Sequence, residues 1–175
     1  ILVKTMQDTM KYLCENIEGC VLGYTQSDEI SLLLIDYKKL DTAAWFDYEV
    51  QKLCSISASM ATLAFNKFFY DNVEFNFQEE WAKINEKITN KEISSEEAEP
   101  MFDKLEDEYY DKYYSKCNKA MFDSRCFNIP KEEVTNYFYW RQLDATRNSI
   151  QMVGQANFSH KELQNKSCND IQNML

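Results

Sequence analysis

The chain has 175 residues, of which 45% are hydrophobic, so it can bury one core and has the length of one domain. It holds only three glycines and two prolines, which disfavours flexible linkers and favours a compact, helix-rich body. No apolar run has the length of a membrane-spanning helix, and no signal peptide is recognised, so we expect a cytoplasmic protein with no membrane partner.

The six cysteines and the single histidine do not have the spacing of a zinc site. No two cysteines are separated by two residues, and His160 has no cysteine close to it in sequence. Scattered thiols are typical of proteins in a reducing compartment, which agrees with a cytoplasmic location.

The net charge of −10 is distributed unevenly along the chain. Residues 71–117 hold 6 basic and 14 acidic side chains, whereas residues 118–175 hold 7 and 6. We interpret the acidic stretch as a helical insertion whose carboxylates lie around a solvated surface. The remaining surface can still bind a polyphosphate or an RNA backbone, so the net charge does not exclude RNA.

The first forty residues predict a helix followed by a β-hairpin. Residues 20–25 and 30–37 are rich in β-branched, aromatic and aliphatic side chains and flank the polar segment 26–29. Because the second strand is continuously apolar, we expect helices over part of both its faces. Gly19 is expected to end the preceding helix, whose apolar side chains recur every three or four residues: Val3, Met6, Met10, Leu13 and Ile17.

The middle of the chain predicts long helices. Asp41 or Thr42 can cap a helix that runs to about Phe69. Weak apolar stripes between residues 78 and 117 predict two antiparallel helices on either side of a polar break at residues 90–95.

The last third of the chain predicts one strand and three helices. Residues 120–129 are predicted to form the strand, and Pro130 to start a helix that ends near Val153. Ser159 and Ser167 each precede an acidic residue by three positions, which is typical of capping boxes on two short helices.

Two groups of polar residues are candidates for chemistry. Ser27, Asp28 and Glu29 stand at the tip of the predicted hairpin, where carboxylates suit a divalent metal but an ordinary polar turn is an open alternative. The second group lines one face of the helix after Pro130 and consists of Arg141, Asp144, Asn148 and Gln151. This face is either a solvated stripe or a nucleotide site, since arginine suits phosphate and amides suit a base or ribose.

Three segments, in this order, resemble the motifs of the histidine-tRNA guanylyltransferase-like family of 3′-5′ polymerases. They are Gly-Tyr-Thr-Gln-Ser-Asp-Glu-Ile-Ser at 23–31, Phe-Asp-Ser-Arg at 122–125 and Trp-Arg-Gln-Leu-Asp-Ala-Thr-Arg-Asn-Ser at 140–149. The resemblance implies an α+β fold with a polymerase-palm (ferredoxin-like) antiparallel sheet packed with helices. It also implies a nucleotidyltransferase that uses two Mg2+ ions, ATP and GTP to add nucleotides to the 5′ end of tRNA, and that assembles as a homotetramer.

The resemblance also implies roles for individual residues. Asp28 becomes a catalytic metal ligand, Glu29 a second catalytic and metal-binding acid, and Ser27 a neighbour of the phosphates. Lys166 becomes a contact to the triphosphate. Four residues of the last motif become nucleotide-binding residues: Arg141, Asp144, Arg147 and Asn148.

Two departures from the family pattern shape the expected function. Thr146 stands where eukaryotic members have histidine, so template-dependent 5′-end repair fits better than strict histidine-tRNA specificity. The family's metal-binding Asp-Gly strand is not found upstream of the first helix. We therefore expect residues 1–175 to be a single catalytic palm-type domain that lacks its N-terminal strand and is inactive alone. The alternatives are a diguanylate-cyclase-like palm enzyme and a noncatalytic palm remnant that binds RNA or protein.

Overall fold

The computed structural model of the protein describes residues 1–39 and 41–175. The chain divides into two units, Ile1–Cys126 and Phe127–Leu175. None of the helices within the described ranges is both long enough and apolar enough to cross a membrane.

The first unit begins with helix α1, Leu2–Asn16. Its buried side chains recur every three or four residues, which confirms the predicted amphipathic helix: Thr5, Met6, Thr9 and Leu13. The helix ends three residues before Gly19, and Gly19 makes the turn into the sheet with a φ of 77°. A Cβ atom at position 19 would also lie only 2.9 Å from the carbonyl oxygen of Ile35, which is a steric clash, so this turn requires glycine.

A β-hairpin follows, as predicted. Strand β1, Cys20–Gln26, pairs antiparallel with β2, Glu29–Leu34, and the pairing closes at Gln26 opposite Glu29. Among the described residues the sheet has these two strands. The core of this unit is formed by Leu13 of α1, Ile17 just after α1, and Ala61 of α2. Strand residues that pack against this core include Ile30, Leu32 and Leu34.

The long helix α2 spans Val50–Thr89, so both predicted ends were wrong. Residues 46–48 have φ values of 50–53°, and this left-handed backbone separates the predicted cap at Asp41 or Thr42 from the helix. The helix continues past Phe69 because no glycine or proline occurs between positions 50 and 89.

Helix α3, Ser95–Lys112, packs antiparallel on the second half of α2. The rings of Trp81 and Phe102 lie 4.1 Å apart, and those of Phe77 and Tyr109 lie 5.3 Å apart. The two antiparallel helices predicted for residues 78–117 are therefore the end of α2 and α3, with the break at residues 90–94.

Residues 120–126, which we call the strap, lie extended along α2. The strand predicted at 120–129 was wrong, because the described residues 119–130 pair with no neighbouring strand. The backbone groups of the strap bond instead to side chains of the helix. The backbone nitrogen of Ala120 donates to Asn66 Oδ1 (3.1 Å), and Asn66 Nδ2 donates to the Ala120 carbonyl (2.9 Å).

The next alternate residues of the strap, Phe122 and Ser124, also bond to side chains of α2. The backbone nitrogen of Phe122 donates to Thr62 Oγ1 at 3.0 Å, and Ser57 Oγ donates to Ser124 Oγ at 2.7 Å. The period of two is that of an extended chain, and the anchors on α2 are four and five residues apart. A strand-like segment is thus stabilised without a sheet.

The second unit consists of a short 3-10 turn and three α-helices. Ser159 and Ser167 each accept a hydrogen bond from the backbone nitrogen three residues ahead, which confirms both capping boxes. The turn is Lys131–Glu133 and the helices are α4, Val134–Asn157; α5, His160–Leu163; and α6, Cys168–Met174.

We predict that Asn66→Ala releases the start of the strap. The substitution removes both hydrogen bonds to Ala120, each worth about 1 kcal/mol, so the Ala120 and Phe122 amides should exchange hydrogen roughly 10-fold faster. Hydrogen-exchange mass spectrometry of residues 119–126 measures this change. Asn76→Ala is the matched control, because Asn76 Nδ2 bonds to the Asn72 carbonyl of its own helix. Equal exchange in the two variants would contradict the role given to Asn66.

Candidate functional site

The hairpin tip presents the predicted acidic residues to solvent. Ser27 and Asp28 form the turn between the strands, and Ser27 has a φ of 51°. Thr25 Oγ1 donates to the Glu29 carbonyl at 2.9 Å and braces the turn from one side. The side chains of Ser27, Asp28 and Glu29 are all exposed. The tip is therefore fixed by its backbone while its carboxylates stay accessible.

Asp28 and Glu29 supply two exposed carboxylates, which are the type of donor that Mg2+ prefers. Mg2+ usually takes one or two carboxylates and completes its shell with water and substrate phosphates. Within residues 1–39 and 41–175, no three histidine, cysteine, aspartate or glutamate side chains are grouped closely enough to hold a metal. Such an ion would therefore depend on groups other than these two carboxylates for the rest of its coordination.

The polar face of α4 is organised around Asp144. Arg147 Nη2 donates to Asp144 Oδ1 at 2.6 Å, and Asn148 Nδ2 donates to Asp144 Oδ2 at 3.2 Å. Arg141 Nη1 lies 4.0 Å from Asp144 Oδ2. Because these residues follow one another at spacings of three and four, one carboxylate reaches all three partners.

The two arginines of this network differ in accessibility. Arg141 is only 8% exposed, and its guanidinium carbon lies 5.1 Å from the centre of the Trp140 ring. The Arg147 side chain is 62% exposed although Asp144 fixes its direction. Arg147 and the exposed Asn148 are therefore available to a ligand, whereas Arg141 and Asp144 hold the network in place.

Lys166 lies just before the capping residue of α6. Its side chain is exposed, and its backbone nitrogen donates to the Leu163 carbonyl at 3.1 Å. The Ser167 hydrogen bonds, with a smaller contribution from Lys166, lower the pKa of Asp170. The start of α6 meets the far end of the α4 stripe, where Gln151 Nε2 lies 4.0 Å from Cys168 Sγ.

The candidate residues thus form two groups on different units. The hairpin tip belongs to Ile1–Cys126, and the α4 network and Lys166 belong to Phe127–Leu175.

The outer side of the strap carries two charged residues that were not among the predicted site residues. Asp123 and Arg125 alternate with the attached positions, so both side chains are exposed and form an ion pair at 3.4 Å. The alternation of Phe122, Ser124 and Cys126 with charged residues is the signal in the sequence for this arrangement.

Comparisons with known proteins agree with this architecture. The family model of tRNAHis guanylyltransferase (Thg1) matches residues 1–130. A solved structure of a bacterial tRNA(His) guanylyltransferase-like protein in complex with ATP is 39% identical, with a TM-score of 0.71, over 99% of this chain and 58% of that chain. A structure of such a bacterial protein in complex with GTP is 38% identical, with a TM-score of 0.62, over 91% and 57%. A search among curated proteins found no match.

The hairpin packed with helices and the match to the fold of these structures place the protein in the predicted class, an α+β protein with a polymerase-palm fold. Within this class, the chain belongs to the tRNAHis guanylyltransferase family. It spans somewhat more than half the length of the solved relatives.

We predict that Asp144→Asn destabilises the protein more than Arg147→Ala does. The first change weakens one charged partner of the buried Arg141 and should lower the free energy of unfolding by roughly 1–2 kcal/mol. The second removes an exposed arginine, and an exposed pair is worth less than about 1 kcal/mol. Urea titration followed by tryptophan fluorescence compares the two variants. Equal losses would show that Arg141 does not depend on Asp144.

Proposed function

We propose that this chain provides the catalytic palm of a nucleotidyltransferase that adds nucleotides to the 5′ end of tRNA in the 3′-5′ direction. The observation that carries the proposal is the match over 99% of the chain to a family structure in complex with ATP. The exposed carboxylates of the hairpin tip and the cationic and amide groups of α4 supply the chemistry that such a reaction needs.

In the proposed site, Asp28 and Glu29 would hold Mg2+, with two ions expected in the reaction. Such ions neutralise the charge of a triphosphate and favour attack by a hydroxyl group. Ser27 is an exposed residue of the same tip, and its hydroxyl would donate to a phosphate oxygen. These three residues bind and orient the reacting end of the nucleotide.

In the second unit, the network of α4 is proposed to bind the nucleotide. The guanidinium of Arg147 contacts phosphate, and the amide of Asn148 contacts the base or ribose. Asp144 and Arg141 position those two groups, and Lys166 contributes a further cation for the triphosphate. ATP or GTP activates the 5′ end of the RNA in this proposal, and both are substrates.

The wider assignments are parts of the same proposal. Residues 1–175 act as one palm-type domain, with the acidic helices at about 71–117 as an insertion. Thr146, in place of the histidine of eukaryotic members, supports template-dependent 5′-end repair of tRNA. The near-neutral charge of residues 118–175, with 7 basic and 6 acidic side chains, favours this part as the RNA-contacting surface. We infer a cytoplasmic homotetramer from the resemblance to the family.

We predict that Asp28→Asn weakens Mg2+-dependent binding of ATP by about 10-fold or more, since it removes one charged metal ligand. Calorimetric titration with ATP, with and without Mg2+, measures this effect. Asp103→Asn, which neutralises an exposed carboxylate of α3, is the matched control and should bind as the unaltered chain does.

The transfer step is tested with radiolabelled GTP, ATP, Mg2+ and a 5′-truncated tRNA. The chain is assayed alone and together with any further sequence that its gene encodes. Addition that is lost with Asp28→Asn supports the proposal. Mg2+-dependent nucleotide binding without addition in either form overturns the transferase and favours a noncatalytic RNA-binding protein. Formation of cyclic dinucleotide from GTP favours the cyclase alternative.

We also predict a graded loss of ATP affinity from substitutions in α4. Arg147→Ala removes a direct phosphate contact and should weaken binding roughly 10-fold, whereas Asp144→Asn releases Arg147 and Asn148 without removing either and should weaken it by about 3-fold. Lys161→Ala removes an exposed cation of α5 and is the control. In a background that carries both Arg147→Ala and Asn148→Ala, Asp144→Asn should have little further effect. Additive losses would show that Asp144 contacts the nucleotide itself.

A further inference from the structure

The strap ends at a pair of cysteines that the proposed reaction does not use. Cys54 of α2 and Cys126 of the strap are both partly buried, and their sulfur atoms lie 3.7 Å apart. This pair continues the series of side-chain contacts that fastens the strap to α2: Ala120 with Asn66, Phe122 with Thr62, and Ser124 with Ser57.

The contacts that precede Cys126 already hold the backbones of both cysteines, so the two thiols lie side by side. The hydrogen bond between Ser57 and Ser124 is two strap residues from Cys126 and three helix residues from Cys54, so both cysteine backbones are held. A disulfide bond is about 2.05 Å long, so the sulfur atoms must approach by roughly 1.7 Å. Rotation of two cysteine side chains covers a distance of this size while α2 stays intact.

We propose that Cys54 and Cys126 form a redox modification site, which a small disulfide of the glutathione type converts into a disulfide bond between the strap and α2. The thiolate of one cysteine attacks a sulfur of the small disulfide and releases one small thiolate. The second cysteine then attacks the resulting mixed disulfide and expels the other. Two electrons pass from the cysteines to the small disulfide, and the two thiol protons go to the released thiolates.

The remaining cysteines are less suited to this reaction. Cys117 Sγ donates to the Tyr113 carbonyl at 3.6 Å, and Cys168 lies beside Gln151. Cys20 lies near Cys14, and burial and then Cys14 raise the pKa of Cys20 to about 11, but the two belong to α1 and β1, so a bond between them would not hold the strap. Burial, with a smaller contribution from Cys54, also raises the pKa of Cys126, so the reaction should accelerate as the pH rises above neutrality.

The bond would close the chain between positions 54 and 126 and fix the end of the strap. Cross-linking of so long a segment restricts the unfolded chain more than the folded one. Oxidation should therefore protect the strap amides from hydrogen exchange and raise the melting temperature by roughly 5 °C or more. Both effects should disappear when a thiol reductant restores the free cysteines.

The test treats the full chain with glutathione disulfide, blocks the remaining thiols by alkylation and maps the peptides by mass spectrometry. The expected product is a cross-linked peptide pair containing Cys54 and Cys126, lighter by two hydrogens than the free peptides. Cys126→Ser and Cys54→Ser should abolish the cross-link and the rise in melting temperature. Cys168→Ser is the matched control and should keep both.

Asn66→Ala provides a second readout, because it leaves all six cysteines in place. If the strap contacts bring the thiols together, this variant should form the cross-link several-fold more slowly. The proposal would be overturned if Cys54 and Cys126 were still alkylated as free thiols after the treatment. It would also be overturned if they carried only glutathione adducts. A cross-link confined to Cys14 and Cys20 would overturn it as well.

Discussion

The contact of α1 with α2 through Leu13, Ile17 and Ala61 supports the rest of the first unit. The small side chain of Ala61 lets the two helices approach, and the inner face of the hairpin packs on the same three residues. Burial of this apolar surface fixes the hairpin, and the register of the hairpin places Asp28 and Glu29 at its exposed end. The position of the acidic tip is thus a consequence of core packing several residues away.

Helix α2 also connects features that are distant in sequence. Its first half carries the strap and its second half carries α3, so a single helix of 40 residues organises most of the first unit. The strap shows how an extended segment is stabilised without strand neighbours, since helix side chains satisfy backbone groups that a sheet would otherwise pair. The same contacts leave Asp123 and Arg125 in solvent and bring Cys126 to Cys54.

In the second unit, one carboxylate orients the groups that are proposed to bind a nucleotide. The Asp144 carboxylate accepts hydrogen bonds from Arg147 and Asn148 and so holds both side chains in fixed directions. Groups that are oriented before a ligand arrives lose less conformational entropy on binding, which favours affinity. The structure thus separates the exposed Arg147 from the buried Arg141, whereas their spacing along the helix does not distinguish them.

The sequence by itself determined α1, the hairpin, the polar break before α3 and both capping boxes, because each depends on periodicity or on residues within one turn. It also indicated the family through three motifs, and with it the acidic tip and the polar face of α4. The tertiary structure decided what depends on distant partners. Residues 120–126 have the composition of a strand but bind a helix, and Arg141 has the spacing of a ligand-binding residue but is buried. Local sequence fixes which conformations a segment favours, whereas its partners and its exposure are set by packing against residues far away in the chain.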